Sequence, residues 1–371
     1  MSRVWLWVVL VALVACSDES APPGDDQPIS FLAELGGDAS EFERACAPRE
    51  FEFPRDHLDH PAFRNEWWYL TGNLQDDKGA RFGFQVTLFR IANGADEVTS
   101  DSRWSTQQFY MGHFAISAAG RDSIAYHERF ARAAAGLAGA AERPVRVWLE
   151  DWQLTLHDDE SARWSVDVSQ GDERVSLDLA PLKPLVLQGD RGHSRKSDDP
   201  CNASYYYSFT RLATSGELTV GGQSYQVTGS AWLDREWSSS ALSDDQAGWD
   251  WFALQMDDGR EFMYYRLRSK TGRTDEHSYA VLIERDGGKR IFDAGDITHE
   301  VSRWWRSDQG AEYPVEGSLD IAGSDLGKIY YAPLIADQEL LLTVRYWEGA
   351  IRLSDASGRE TGRGYLELTG Y

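Results

Sequence analysis

Residues 232–254 read W-L-D-R-E-W-S-S-S-A-L-S-D-D-Q-A-G-W-D-W-F-A-L, with four tryptophans and two short extended runs on either side of a polar loop. In an extended chain, side chains alternate between faces with a period of two. Trp232, Asp234 and Glu236 therefore share one face, and Leu233, Arg235 and Trp237 the other. In the second run Trp249 and Trp251 lie together, opposite Asp250, Phe252 and Leu254. Two carboxyls on one face beside indole surface fit either of two roles. They form a proton-donating site in an apolar cavity, or an Asp234–Arg235–Glu236 ion cluster that ties strands together.

The same alternation extends outward in both directions. In N-E-W-W-Y-L-T-G-N-L (65–74), Glu66, Trp68 and Leu70 alternate with Trp67, Tyr69 and Thr71. The turn D-D-K-G-A then leads into R-F-G-F-Q-V-T-L-F-R (81–90), a hairpin pattern. Further strands are predicted at 109–117, where His113 is in phase with Met111 and Ala115, and at 145–156, 175–179, 205–212, 217–220 and 224–232. Beyond the opening stretch the pattern returns at 261–268, 278–284, 340–346 and 364–371. One run, F-A-R-A-A-A-G-L-A-G-A-A (130–141), breaks the rhythm; its alanines favour a short helix or lid. Many short strands between turn signals predict an all-β protein, and their number exceeds one small barrel. Two barrels are expected, with a boundary near 233–245.

The amino terminus, M-S-R-V-W-L-W-V-V-L-V-A-L-V-A-C, pairs a minimal basic start with an apolar run too short to span a bilayer. Leu13-Val14-Ala15-Cys16 resembles a bacterial lipoprotein box, which implies a signal peptide over 1–15 and lipid on Cys16. Ser17 after the cysteine favours the outer membrane, facing the periplasm. Residues 16–49 are acidic, bear Pro and Gly, and read as a tether. A formal charge of −23 argues against nucleic acid as a partner. Cys46 and Cys201 are free to pair in an oxidising compartment, though spacing alone does not decide it. There is no G-x-S-x-G elbow, H-E-x-x-H, phosphate loop or dinucleotide fingerprint, and the eight histidines are scattered, so no metal site and no cofactor are expected. His57 and His60 sit in an irregular loop and read as solvated.

Several strings taken together resemble the AttH/carotenoid 1,2-hydratase-like proteins. They are F-P-R-D-H-x-x-H-P-x-F-R-x-E-W-W-Y-x-T-G-x-L, G-F-Q-V-T-L-F-R, W-L-D-R-E-W-S-S, D-Q-x-G-W-D-W-F-x-L and the terminal Y-W-E-G followed by G-R-G-Y-L-E-L-T-G-Y, in order over roughly 50–371. The resemblance implies two consecutive lipocalin-like (calycin) antiparallel β-barrels with a cavity near their junction, here drawn as 50–238 and 239–371. It also implies a range of activities, among them hydration of a terminal C=C in an acyclic carotenoid and cyclisation of natural products.

Hydrating an unactivated alkene needs a carboxylic acid that is still protonated near neutral pH, which burial or a second carboxyl provides. Aromatic faces then stabilise the cation. Asp234, Glu236, Asp250 and Glu66 are the candidate acids, in that order. Trp67, Trp68, Trp237, Trp249 and Trp251 are the candidate walls, with Tyr264 and Tyr265 behind them and His113 and Arg235 as further candidate contacts. Each has a plainer role: Glu66 as an indole acceptor, His113 as a satisfied core residue, Arg235 as a counter-ion, the tryptophans as core. Three functions follow. The first is an envelope lipoprotein that holds an apolar or amphipathic small molecule, with a possible link to an envelope transport system. The second is a hydratase or cyclase acting on a polyene or isoprenoid, and the third, weaker, is carbohydrate binding.

Overall fold

The structure, a computed structural model, describes residues 39–95, 100, 102–157, 162–240 and 242–371. Cys16, the signal peptide and most of the tether lie outside the described residues. Those described contain no α-helix, only 3₁₀ turns at Arg55–His57 and Ala294–Asp296.

The first sheet takes β1 (Asn65–Asp76), β2 (Arg81–Ala92), β3 (Gln108–Ala118), β4 (Ala125–Arg132), β5 (Ala138–Glu142), β6 (Val145–Leu149) and β7 (Trp152–Leu156). It continues with β8 (Trp164–Gln170), β9 (Glu173–Pro181), β10 (Val186–Leu187), β11 (His193–Arg195), β12 (Ala203–Val220) and β13 (Gln223–Ser238). The order is β4-β3-β2-β1-β13-β12-β9-β8-β7-β6-β5, with β10 and β11 attached to β12. The sheet curls until β2, β3 and β4 touch β5 and β6, which makes a lipocalin-like barrel. Its interior is filled by Trp68, Phe114, Trp152, Trp164 and Trp237, all buried.

The second sheet takes β14 (Gln246–Met256), β15 (Glu261–Ser269), β16 (Tyr279–Ile283), β17 (Lys289–Asp293) and β18 (Ile297–Arg306). Then come β19 (Glu312–Ile321), β20 (Ile329–Pro333), β21 (Glu339–Leu341), β22 (Arg345–Ser354) and β23 (Glu360–Thr369). Its order is β17-β16-β15-β14-β23-β22-β20-β19-β18, with β21 on β22. Phe252, Phe262, Tyr264, Tyr331 and Trp347 fill this second barrel. All pairings in both ladders are antiparallel.

The alanine-rich run 130–141 is neither helix nor lid. Its start completes β4 and its end forms β5, separated by a turn with Ala135 and Gly136 at positive φ. Gly139 lies against the Trp148 indole, where a Cβ would come within 3.0 Å, so ladder pairing and ring packing override alanine's helical preference. The predicted strands at 205–212 and 217–220 are one continuous β12, bent by an irregularity between Phe209 and Leu212.

The outer faces of the two barrels meet where β1 and β2 touch β23 and β22, and β12 touches β14. Gly83 allows this approach, because a Cβ there would come within 2.4 Å of the Ala350 Cβ. Side-chain amides bridge the seam: Asn73 Nδ2 donates to Gly364 O at 2.9 Å, and Gln255 Nε2 to Thr210 O at 2.8 Å and Ala231 O at 3.0 Å. A disulfide joins Cys46 to Cys201 and fastens the amino-terminal arm beside the start of β12.

Candidate functional site

The pleat sorts the candidate residues into three places. Glu66, Trp68, Arg235 and Trp237 point into the first barrel. Glu66 is fully buried and accepts hydrogen bonds from Arg90, Arg235 and the His60 backbone N–H, the last at 2.9 Å. The Arg235 guanidinium lies 3.8 Å over Trp68, and His60 stacks on Trp237 at 3.8 Å. Burial by itself raises the Glu66 pKa, but Arg90 and Arg235 outweigh it and hold the carboxyl well below its usual range. Glu66 is thus a buried ion-cluster member, not an acid catalyst, and its donors are His60, Arg90 and Arg235 rather than an indole. His60 is likewise enclosed rather than solvated, between Glu66 and Asp56 at 3.2 and 3.1 Å. His57 is buried too, 2.6 Å from the Tyr207 hydroxyl.

Asp250 and Tyr264 point into the second barrel. Asp250 accepts from Arg266 at 2.6 Å, Arg268 at 2.8 Å and the Tyr371 hydroxyl at 2.7 Å, so it too is a structural anchor. Arg235 pairs with neither Asp234 nor Glu236, because adjacent strand residues face opposite ways. The Asp234–Arg235–Glu236 ion cluster therefore does not form.

The remaining candidates converge between the barrels on a cavity of about 930 Å³, counted out into its open mouth. The first barrel contributes Trp67, Tyr69, Phe89, His113, Tyr206, Asp234 and Glu236. The second contributes Trp249, Trp251, Tyr265, Tyr346, Glu348 and Glu367. Lys196 stands at the edge, 3.2 Å from Glu236 Oε1.

The four carboxyls on this wall differ in their partners. Asp234 is enclosed by donors: the Tyr206 hydroxyl at 2.8 Å, the Trp232 indole N–H at 2.6 Å and the Ser208 hydroxyl at 2.5 Å. Burial nevertheless pushes its pKa up to about 7, since no cation faces it and Glu236 adds a negative field. The Tyr206 hydroxyl also accepts from the Trp251 indole at 3.2 Å, so Asp234 orients the phenol and indole that line the cavity. Glu236 is held by Lys196 and the Ser204 hydroxyl.

Glu348 and Glu367 are paired residues on β22 and β23 and so stand side by side on one face. Glu367 accepts from the Trp249 indole at 2.8 Å and the Thr369 hydroxyl at 2.9 Å, yet burial lifts its pKa to about 7. Glu348 is 1% exposed, and both of its carboxyl oxygens lack a hydrogen-bond partner of ordinary geometry. The hydroxyls of Tyr69 and Tyr346 face it without closing such a bond. Burial, reinforced by Glu367, holds its pKa well above the carboxylate range. The sequence reading missed this pair. The available signal was a glutamate in each of two apolar strands, Y-W-E-G (346–349) and Y-L-E-L (365–368).

The architecture is that of a tandem lipocalin-like protein with its cavity between, not inside, the barrels. The chain belongs to the AttH-like family, whose model matches residues 44–371. The crystal structure of an AttH protein from Nitrosomonas europaea is similar at 35% identity and a TM-score of 0.79, covering 89% of this chain and 100% of that one. Kievitone hydratase from Nectria haematococca shares the fold at 14% identity and a TM-score of 0.63, covering 89% of this chain and 95% of that one. No curated protein matches the chain.

Proposed function

We propose that this protein is an acid catalyst that takes an apolar or amphipathic molecule between its barrels and protonates a C=C bond, leading to hydration or ring closure. The observation that carries this reading is Glu348, a buried carboxyl on the cavity wall that phenol hydroxyls face but no cation among the described residues pairs with, beside a second acid. A carboxyl so placed keeps its proton at neutral pH and is therefore available as a general acid. When it gives the proton up, the Glu367 proton keeps two adjacent charges from forming. The cation left on the substrate faces Trp67, Trp249, Phe89 and Tyr265, each aromatic face contributing on the order of 1–2 kcal/mol when desolvated. Glu236, fixed by Lys196, is placed to accept a proton from an attacking water.

The test is native mass spectrometry with lipid extraction on protein lacking residues 1–16, purified from its own periplasm. A co-purifying apolar molecule is then incubated with wild type and with Glu348→Gln. Conversion by wild type alone supports the catalyst. If wild type returns the molecule unchanged, the protein is a carrier, a reading the aromatic walls also support. The lipoprotein box at 13–16 supports an envelope location for either role. Carbohydrate binding has less support: the exposed tryptophans among the described residues, Trp104 and Trp304, sit on different barrels and form no common platform.

A further inference from the structure

We infer that Tyr346, His113 and Glu128 form a proton relay connecting Glu348 to the protein surface across the seam between the barrels. This deepens the proposed function and rests on Glu348 being the proton donor. His113, on β3, is fully buried and joins two elements of different barrels. Its Nδ1 lies 2.6 Å from the Tyr346 hydroxyl on β22, and its Nε2 lies 3.0 Å from Glu128 Oε1 on β4. Glu128 is partly exposed, and the Thr343 hydroxyl at 2.8 Å and backbone N–H at 3.2 Å fix it in place. Tyr346 and Glu348 are two residues apart on one face of β22, so the hydroxyl that meets His113 also faces the carboxyl.

The donors and acceptors align in one direction. Burial raises the Glu128 pKa, but its bonds from His113 and Thr343 outweigh this and keep it ionised. Burial lowers the His113 pKa, so the ring is neutral. The Glu128 carboxylate then takes the Nε2–H, leaving Nδ1 to accept from the Tyr346 O–H. The Tyr346 oxygen is left to accept from the protonated Glu348. One transfer moves the Glu348 proton to the Tyr346 oxygen, the Tyr346 proton to His113 Nδ1 and the Nε2 proton to Glu128. Tyrosine and imidazole each gain one proton and lose one; Glu348 becomes the carboxylate and Glu128 the acid, which exchanges with water. The reverse sequence reloads Glu348 while the cavity mouth is occupied.

Stopped-flow infrared spectroscopy tests this without substrate. The Glu348 carboxyl C=O band is assigned by its loss in Glu348→Gln, and its isotope shift is timed after a jump into D₂O. We expect His113→Phe to slow that shift about tenfold or more. Glu128→Gln, close to the surface and suited to the same test if His113→Phe does not fold, is expected to slow it as well, and Glu128→Asp to restore it. Exchange at the wild-type rate in a folded His113→Phe or Glu128→Gln protein overturns the relay, with water at the mouth as the source. A wild-type spectrum at neutral pH with no band that Glu348→Gln removes overturns both the relay and Glu348 as donor. Slowed exchange with no turnover of any co-purified molecule supports the relay and counts against the catalyst alone.

Discussion

Glu66 and Glu348 are both glutamates fully buried on β-strands among large aromatic rings, yet their chemistry is opposite. Glu66 faces into its barrel and meets two guanidiniums; Glu348 faces out to the seam and meets phenols and another glutamate. Asp250 and Asp234 repeat the contrast: two arginines bind the first, while only neutral donors reach the second. On the central cavity the outward acids Asp234, Glu348 and Glu367 meet no cation among the described residues, whereas Glu261, on the face of β15 that carries Met263, is bound by Lys183 and Arg211. Lys196 beside Glu236 is the cation that does reach the cavity wall. The inward acids fix the arm and strands; burial raises the pKa of Asp234, Glu348 and Glu367, whereas the two arginines beside Glu66 lower its own.

The largest effect is expected from breaking an inward cluster. Glu66→Ala leaves Arg90 and Arg235 buried without their counter-ion, which costs about 3–5 kcal/mol or prevents folding, measured by urea unfolding. Its pH dependence has a definite sign. A carboxyl held well below its usual pKa stabilises the fold above that usual value, and this stability is lost as pH falls through the lowered one.

An outward acid shows the reverse. Glu367 titrates near 7, so the folded state binds its proton more tightly than the unfolded chain does. Stability is fully present below the ordinary carboxylate pKa and declines as pH rises through about 7, by on the order of 3 kcal/mol. Glu367→Gln keeps an acceptor for the Trp249 indole and removes the ionisation, so unfolding curves at pH 5 and 8 lose that difference. An unchanged difference in the variant would assign the slope to another group and end the comparison.

Much of this arrangement was legible in the sequence, for a geometric reason. A period of two is fixed by the extended backbone, so Asp234 with Glu236, and Trp249 with Trp251, were sorted correctly against Arg235 and Asp250. Alternation does not say which face meets a second sheet. Glu66, Trp68, Trp237 and Tyr264 became site candidates by residue type, when their faces were barrel interiors. Glu348 and Glu367 went unread because what brings them together is not local: Tyr69 is far away in the chain, and Glu348 meets Glu367 only through the β22–β23 register. The alanine run at 130–141 misled because local propensity carries no information about the Trp148 ring that Gly139 must accommodate.

The smallest effect is also the most direct test of which tryptophans face a ligand. Trp251→Phe removes the indole N–H that reaches the Tyr206 hydroxyl at 3.2 Å, while Tyr206 keeps its bond to Asp234. Losing one such bond costs about 0.5–1.5 kcal/mol, and the phenyl ring still fills most of the wall. Trp237→Phe changes the inner stack on His60 instead. Titrated with a fluorescent fatty acid, Trp251→Phe is expected to lose part of the tryptophan quenching and Trp237→Phe to retain it all. Equal loss from both variants would place the ligand inside the first barrel, where Glu66, not Glu348, is the buried carboxyl at hand.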